Sequence, residues 1–195
     1  MKKIITIFVF LCAMVMTLQA ERILVGAEQT KSYLPLLKGK RVALLSNHTG
    51  IVIQGKDTIH TLDLLLKHGV EVTAIFSPEH GFRGTAREGE LVASSVDEKT
   101  GVPIWSLYDG NTKRPSDEKM KAFDVLLIDI QDVGFRFYTY YISMLNMINA
   151  SADFSRKVVV FDRPNPNGMY VDGPILDMRY KLGVGALPIP VVHGM

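Results

Sequence analysis

The stretch DVLLIDI, residues 124–130, holds four consecutive apolar residues between two aspartates. Consecutive rather than alternating apolar residues are typical of a strand that is buried on both faces of a sheet. Similar Val- and Ile-rich runs occur elsewhere in the chain, at residues 41–47, 70–78, 102–108, 157–162 and 187–193. Such strands belong to parallel sheets whose two faces are covered by helices.

Helical patterns separate these runs. Residues 57–68 place their apolar side chains on one side and are followed by Gly69, which predicts a helix with Asp57 as its N-cap. A second amphipathic helix, beginning near Phe135, is predicted from apolar residues at helical spacing: Phe137, Tyr140, Tyr141, Met144, Leu145 and Ile148. Strands alternating with helices predict an α/β fold, an open, mostly parallel, doubly wound (Rossmann-like) sheet with helices on both faces.

The N-terminus has the layout of a secretory signal peptide. Lys2 and Lys3 precede an apolar stretch at residues 4–18, and the small residue Ala20 stands before a polar sequence. We predict cleavage after Ala20, export to a periplasmic or secreted location, and one domain at residues 21–195. A signal anchor is the alternative, although the apolar stretch is shorter than the roughly 20 residues that span a bilayer.

The cysteine content and the net charge of the chain limit how it is stabilised and which partners it can bind. The only cysteine, Cys12, lies in the predicted signal peptide, so the exported domain would be held together by packing without disulfides. The 22 basic and 20 acidic residues give a net charge of +2, and loss of Lys2 and Lys3 would bring it to zero. This balance indicates neither a nucleic acid nor an anionic surface as partner. We predict no stable membrane insertion after cleavage.

A nucleotide site is not favoured. Residues 50–56 fit the start of a phosphate-binding loop, but Asp57 stands where a Ser or Thr hydroxyl should bind Mg²⁺. The β-branched residues at 51–53 favour extended backbone over a curled loop. The dinucleotide fingerprint is absent after the first run. We therefore predict no nucleotide and no cofactor.

Polar clusters follow the predicted strands, and ligands of open parallel sheets bind beyond the carboxyl ends of the strands. Glu79 stands behind Pro78 and beside His80, where it could serve as a general acid, or could simply pair with Arg83 on a solvated turn. Each aspartate among Asp129, Asp132 and Asp162 is open to three roles: second carboxylate, metal ligand or helix cap. For His48 and His193, a structural role is as well supported as a functional one.

Several motifs, taken in order and spacing, resemble the exo-β-N-acetylmuramidases of the NamZ type. They are NHTG (residues 47–50), FSPEHGFRG (76–84), SLYDG (106–110), DVLLIDIQDVGFRFYTY (124–140), VVVFDRPNPNG (158–168), VDGPILD (171–177) and PIPVVHGM (188–195). The resemblance implies a glycoside hydrolase of bacterial cell-wall recycling that releases N-acetylmuramic acid from the non-reducing end of peptidoglycan fragments. It also implies a Rossmann-like N-terminal domain that uses no nucleotide despite its fold.

The resemblance assigns roles to residues at the strand ends. Glu79, with His80 beside it, matches the family's acid, and Asp129, Asp132 and Asp162 are candidates for the opposing group. Arginine recognises carboxylates with two parallel hydrogen bonds, so Arg83, Arg136 and Arg163 are predicted to bind the lactyl carboxylate of a muropeptide or disaccharide. The predicted ligands of the hydroxyl and acetamido groups are Asn47, His48, Gln131, Tyr138, Asn165 and His193.

Family members are longer than this chain and contain a second domain. We therefore expect a truncated N-terminal domain whose cleft is open on one side, which would weaken its activity alone. Three alternatives stay open: a metal-dependent hydrolase using His80, Asp129, Asp132 and His193, a non-catalytic muropeptide-binding module, and a nonfunctional remnant. The sequence leaves the stereochemistry and the oligomeric state undetermined.

Overall fold

The computed structural model describes residues 22–83, 87, 91, 93–110 and 113–194. The predicted signal peptide with Cys12, and Gly84 of the SPEHGFRG motif, lie outside the described residues. The strands are β1 (Arg41–Ser46), β2 (Ile51–Gln54), β3 (Asp57–His60), β4 (Glu71–Ser77), β5 (Ser95–Val96), β6 (Pro103–Ser106), β7 (Val125–Asp129) and β8 (Lys157–Val160). The α-helices are α1 (Thr30–Leu37), α2 (Thr61–Lys67), α3 (Asp117–Lys121) and α4 (Tyr140–Asp153).

Six strands form one open sheet in the order β5–β6–β4–β1–β7–β8. Every neighbouring pair is parallel except β5 with β6. β1 is central, and its Leu44 lies opposite Ile75 of β4 and Leu127 of β7. The predicted open, mostly parallel sheet is confirmed. The short antiparallel edge strand β5 was not predicted.

The two faces of the sheet pack against different helices. Tyr33 of α1 and Leu62 of α2 belong to one buried cluster, together with Leu44 of β1. Met120 of α3 and Met147 of α4 belong to a second cluster on the opposite face. Full burial of such a side chain stabilises the fold by about 1.5–3 kcal/mol. The doubly wound arrangement is therefore confirmed.

The segment that precedes α2 differs from the prediction. Residues 57–60 form β3, which pairs with β2 in an antiparallel hairpin that turns at Gly55, whose φ is +65°. Thr58 and Ile59, like the β-branched residues of β2, favour this extended form. The helix begins only at Thr61, and its N-cap is His60 rather than Asp57, because His60 Nδ1 accepts a hydrogen bond of 3.1 Å from Leu62 N.

The predicted strand at residues 187–193 is also wrong. Of these residues, only Val192 makes β-bridges, to Phe135 and to Asp172. Pro188 and Pro190 lack the backbone N–H that a strand inside a sheet must donate. The segment instead runs alongside the carboxyl ends of the strands, which brings His193 to the polar edge.

The last long helix begins later than the sequence predicted. α4 starts at Tyr140 and not near Phe135. Residues 135–139 are tied to the C-terminal segment, since Phe135 bridges Val192 and Arg136 N donates to Val191 O at 2.8 Å. Asp132 therefore does not cap this helix. None of the helices in the described part of the chain is long and apolar enough to cross a membrane.

Candidate active site

The polar clusters meet at one edge of the sheet. Asn47 follows β1, Glu79 follows β4, Asp129 ends β7 and Arg163 follows β8. These four strands are neighbours in the order β4–β1–β7–β8, and parallel pairing places their carboxyl ends side by side. The sheet thus brings together groups that are more than 100 residues apart in the chain, as the sequence predicted.

Glu79 sits in a tight, strained turn. Gly81 N donates to Pro78 O at 3.1 Å, and His80 adopts a φ of 69°, which is rare for a residue with a side chain. Strain of this kind costs about 1–3 kcal/mol and persists where the surroundings enforce it. Phe82 anchors the turn through its buried ring, which meets His60 edge-on at 4.8 Å.

The carboxylate of Glu79 is half-buried and held by a neighbour. Thr139 Oγ1 donates a hydrogen bond of 3.2 Å to Glu79 Oε2. Thr139 occupies the N-cap position of α4, yet its side chain makes no capping bond. The start of α4 therefore fixes the carboxylate at the end of β4.

Two tyrosines adjoin this carboxylate. The rings of Tyr138 and Tyr140 pack edge to face with centroids 4.9 Å apart. Burial, together with the nearby Tyr138 hydroxyl and the charge of Glu79, raises the pKa of Tyr140 to about 12. Burial and the charge of Asp132 raise the pKa of Tyr138 as well. Both hydroxyls therefore stay protonated at neutral pH and can donate hydrogen bonds.

Only one of the two carboxylate oxygens of Asp132 has a hydrogen-bond partner among the described residues. Its Oδ1 accepts a hydrogen bond of 2.6 Å from Gly134 N and lies 3.4 Å from His193 Nε2. His193 N in turn donates to Gly134 O at 3.0 Å. Asp132 Oδ2 is buried and has no hydrogen-bond partner among the described residues. The hydrogen bond from Gly134 N is thus made to Oδ1 and leaves Oδ2 without a donor.

Asp129 and Arg163, predicted as a catalytic and a substrate-binding residue, bind each other. Arg163 Nε donates to Asp129 Oδ1 at 2.5 Å and Nη2 donates to Oδ2 at 3.0 Å. The two side chains are 0% and 6% exposed. Thr61 Oγ1 also donates to Asp129 Oδ2, and Arg163 Nη2 donates to Ile51 O at 2.9 Å. This buried pair joins β7, β8, α2 and the hairpin.

The other two arginines also have protein partners. Arg83 donates through Nε and Nη2 to Oδ1 of the buried Asp97, at 3.2 and 2.6 Å. Arg136 Nη1 donates to Pro174 O at 2.8 Å and to Ile189 O at 2.7 Å. The Arg83 side chain is 42% exposed, against 6% for Arg163. Arg83 is therefore the more accessible of the two arginines that pair with buried aspartates.

The amide side chains of the predicted site brace its loops. Asn47 Oδ1 accepts hydrogen bonds from Thr49 N at 2.9 Å and Thr49 Oγ1 at 2.6 Å. Gln131 Nε2 donates to Asp132 O at 2.6 Å and to Pro164 O at 2.9 Å. Asn165 Oδ1 accepts from Asn167 N at 2.8 Å. These contacts set the spacing between the loops that follow β1, β7 and β8.

Of the remaining predicted residues, His48 and Asp162 are exposed, whereas His80 is half-buried. Sequence reasoning missed His60, whose Nε2 lies 2.9 Å from Asn47 O. Because His60 Nδ1 accepts from Leu62 N, Nε2 carries the proton and donates to that carbonyl. It also missed Thr139, because the helix was predicted to begin near Phe135, which places Thr139 inside it.

A cavity of about 530 Å³ opens beside Asp132, bounded by β7, β8, α4 and the C-terminal segment. Its lining combines apolar residues, such as Met144 and Ile189, with Asp132, Tyr140 and His193. Within the described ranges, no three His, Cys, Asp or Glu side chains are grouped so that they could hold a metal ion. Of the four residues of the metal-dependent alternative, Asp132 and His193 lie 3.4 Å apart, but no third such side chain of the described residues is grouped with them.

The fold and this edge define a doubly wound α/β protein whose acid, hydroxyl and guanidinium groups lie where such proteins bind ligands. Residues 42–195 match the family described as "Exo-beta-N-acetylmuramidase NamZ, N-terminal". The chain belongs to this family, as the motifs indicated.

Three known proteins are similar to this chain in sequence or in structure. The "Peptidoglycan beta-N-acetylmuramidase NamZ" of Bacillus subtilis is 46% identical over 165 residues, which cover 84% of this chain and 39% of that protein. A crystal structure of a DUF1343 family protein from Bacteroides fragilis is 57% identical with a TM-score of 0.77, covering 90% of this chain and 44% of its own. A crystal structure of a second DUF1343 family protein from Bacteroides fragilis is 36% identical with a TM-score of 0.79. The match covers 91% of this chain and 44% of that protein's chain. The chain therefore spans less than half of each relative.

Proposed function

We propose that this chain supplies the acid-bearing domain of a glycoside hydrolase that releases N-acetylmuramic acid from the non-reducing end of peptidoglycan fragments. The observation that carries the proposal is Glu79, a half-buried carboxylate at the end of β4 that Thr139 holds at 3.2 Å. Family membership and the name of the Bacillus subtilis relative support the reaction and the substrate class.

The reaction needs a proton at the leaving oxygen. Cleavage of a glycosidic bond passes through an oxocarbenium-like state, in which the bond's electron pair moves to the departing oxygen. Glu79, in its protonated form, would donate the proton that neutralises this oxygen. The hydrogen bond from Thr139 to Oε2 helps to fix the carboxyl group for this proton transfer.

Neighbouring hydroxyls would help to orient the sugar. Tyr138 and Tyr140 stay protonated at neutral pH, since burial raises the pKa of each phenol. A phenol O–H that is fixed and partly removed from water donates a stronger hydrogen bond than one in bulk solvent. We assign these two donors to oxygen atoms of the substrate next to the bond that breaks.

The lactyl carboxylate of N-acetylmuramic acid distinguishes this sugar from N-acetylglucosamine. A guanidinium is the natural partner for it. The Arg83 side chain follows the Glu79 turn and pairs with Asp97. It is still 42% exposed, so a substrate carboxylate can reach it. We therefore assign this recognition to Arg83 and give Arg163, which is closed in by Asp129, a structural role. The predicted signal peptide supports export of the protein, where cell-wall fragments would be met.

The proposal is tested by product release. The 195-residue chain, and a chimera in which it is continued by the part of the 57%-identical Bacteroides fragilis relative that it does not cover, are incubated with a disaccharide of N-acetylmuramic acid and N-acetylglucosamine. Free N-acetylmuramic acid, separated by chromatography, is the expected product of at least the chimera. Binding of the disaccharide without any cleavage by either protein would instead identify a muropeptide-binding module.

A further inference from the structure

The three aspartates of the edge are not equivalent, and the differences decide which of them can act on a substrate. Asp129 is 0% exposed, and both of its oxygens accept hydrogen bonds from Arg163. A carboxylate enclosed in this way meets no ligand. Releasing it would break a buried ion pair and leave the Arg163 charge without its partner.

Asp162, in contrast to Asp129, is exposed to solvent. Its side chain is exposed at the end of β8, and its backbone carbonyl accepts a hydrogen bond of 2.8 Å from Gly26 N. Water surrounds an exposed carboxylate and screens its charge, which weakens its effect on a developing cation. Asp162 also lines the cavity, but it is not held there in one orientation by burial.

Asp132 combines fixation with an unused atom. Oδ1 is oriented by a hydrogen bond of 2.6 Å from Gly134 N, whereas Oδ2 is buried and has no partner among the described residues. A buried acceptor without a partner destabilises the fold. Such a cost is explained when a ligand supplies the missing partner. Asp132 lines the cavity together with Tyr140, the residue that adjoins Glu79.

We propose that Asp132 is the carboxylate that acts at the anomeric carbon opposite Glu79. The inference rests on the proposed function, since it presupposes a glycosidic bond at this edge. Oδ2 is the reactive atom. The hydrogen bond from Gly134 N fixes Oδ1, and His193, whose side chain is only 6% exposed, lies 3.4 Å from the same oxygen.

The proposed reaction begins with proton transfer and then follows one of two courses. Glu79 gives its proton to the leaving oxygen as the bond to the anomeric carbon breaks. Asp132 Oδ2 either removes a proton from the water that attacks this carbon, or bonds to the carbon and is then displaced by a water that gives a proton back to Glu79. In both cases one water is consumed, and the products are N-acetylmuramic acid and the shortened fragment. The separation between the two carboxylates distinguishes the two courses.

The test uses whichever protein releases N-acetylmuramic acid, the chain or the chimera, with a para-nitrophenyl glycoside of N-acetylmuramic acid as substrate. Asp132→Asn keeps the shape of the side chain and removes its charge. We expect kcat to fall by about 10²–10⁴-fold with KM changed less than about threefold, the range for loss of a group that acts in the transition state. The fall at Asp132 should exceed that of Asp162→Asn by at least about tenfold. Asp117→Asn, on the distant helix α3, is the matched control.

Chemical rescue separates a reacting group from a structural one. Asp132→Ala leaves a space that azide can fill, so added azide should restore nitrophenol release and yield a glycosyl azide. A kcat for Asp132→Asn within about tenfold of the parent, or no effect of azide on Asp132→Ala, overturns the inference. Absence of N-acetylmuramic acid release by both parent proteins refutes the proposed function, and the inference falls with it. An active parent that needs Glu79 but not Asp132 refutes the inference alone.

Discussion

The hydroxyl of Thr139 donates a hydrogen bond of 3.2 Å to Oε2 of Glu79, which joins the first residue before α4 to the turn after β4. The two residues are 60 positions apart in the chain. Through this contact a helix that packs in the core orients the carboxyl group at the sheet edge.

Thr139→Val tests this contact, because valine has the same shape and no donor. We expect kcat to fall by about tenfold, the effect of losing a hydrogen bond of about 1.4 kcal/mol to a charged group. Thr139→Ser keeps the hydroxyl and should retain most of the parent rate. Equal rates for the valine and serine variants would show that the hydrogen bond does not matter for turnover.

His60 makes the stability of the domain depend on pH. Burial lowers the pKa of His60 from its ordinary value of 6.5, although Asp129 and Asp63 oppose the shift. Below that value the unfolded chain takes up a proton that the folded chain resists, so stability is full above about pH 6.5 and decreases as the pH falls further. The slope from this residue is at most about 1.4 kcal/mol per pH unit.

Urea unfolding of His60→Asn between pH 7.5 and 5 checks this dependence. Asparagine can still cap α2, but it does not titrate. The variant should lose stability less steeply than the parent as the pH falls. His48→Asn, which replaces an exposed histidine, should keep the parent slope. Identical slopes for the parent and His60→Asn would refute the assignment.

The ion pair between Asp129 and Arg163 is predicted to stabilise the fold rather than to bind substrate. Arg163→Met leaves a buried carboxylate without its partner, so the free energy of unfolding should fall by about 3–5 kcal/mol. The double variant Asp129→Asn/Arg163→Met should recover part of this loss. In Arg179→Met, which breaks an exposed pair with Asp177, the free energy of unfolding should change little. An unchanged stability of Arg163→Met with weakened sugar binding would restore the role that the sequence suggested.

Gly134 lies where the loop after β7 meets the loop after β8. Its φ is +79°, and a Cβ added there would come within 2.5 Å of Asn165 Oδ1. Gly39 has a φ of +66° and open space around it, so Gly39→Ala reports the backbone strain alone, about 1–2 kcal/mol. Gly134→Ala should cost more than Gly39→Ala in thermal unfolding and should also reduce turnover, because Gly134 N orients Asp132. Equal costs would show that Asn165 moves aside freely.

The fold was predictable because its strongest signals are local. The continuous apolar run of residues 125–128 becomes a strand that is buried at every residue, as burial on both faces requires. Errors arose where two patterns competed. Residues 57–60 were compatible with the first turn of a helix, but pairing with β2 made them a strand. The apolar run at 187–193 had the composition of a strand, but its prolines lack the required donors.

The site was predictable in its location and less so in its roles. Strand ends in a parallel sheet converge, so Glu79, Asp129, Asp132 and Arg163 could be placed at one edge from the sequence. That Arg163 is enclosed by Asp129, while Asp132 keeps an unused oxygen, depends on contacts between residues 34 apart or more. No local pattern reports such contacts. His60 and Thr139 were not identified from the sequence for the same reason.

The most direct test of Glu79 as the proton donor compares two substrates. A nitrophenolate leaves without a proton, whereas the sugar oxygen of a disaccharide needs one. For Glu79→Gln, the account predicts a loss in kcat of about 10²–10⁴-fold on the disaccharide of N-acetylmuramic acid and N-acetylglucosamine, and a loss at least about tenfold smaller on the para-nitrophenyl glycoside. Equal losses on the two substrates, or no loss on the disaccharide, would contradict it.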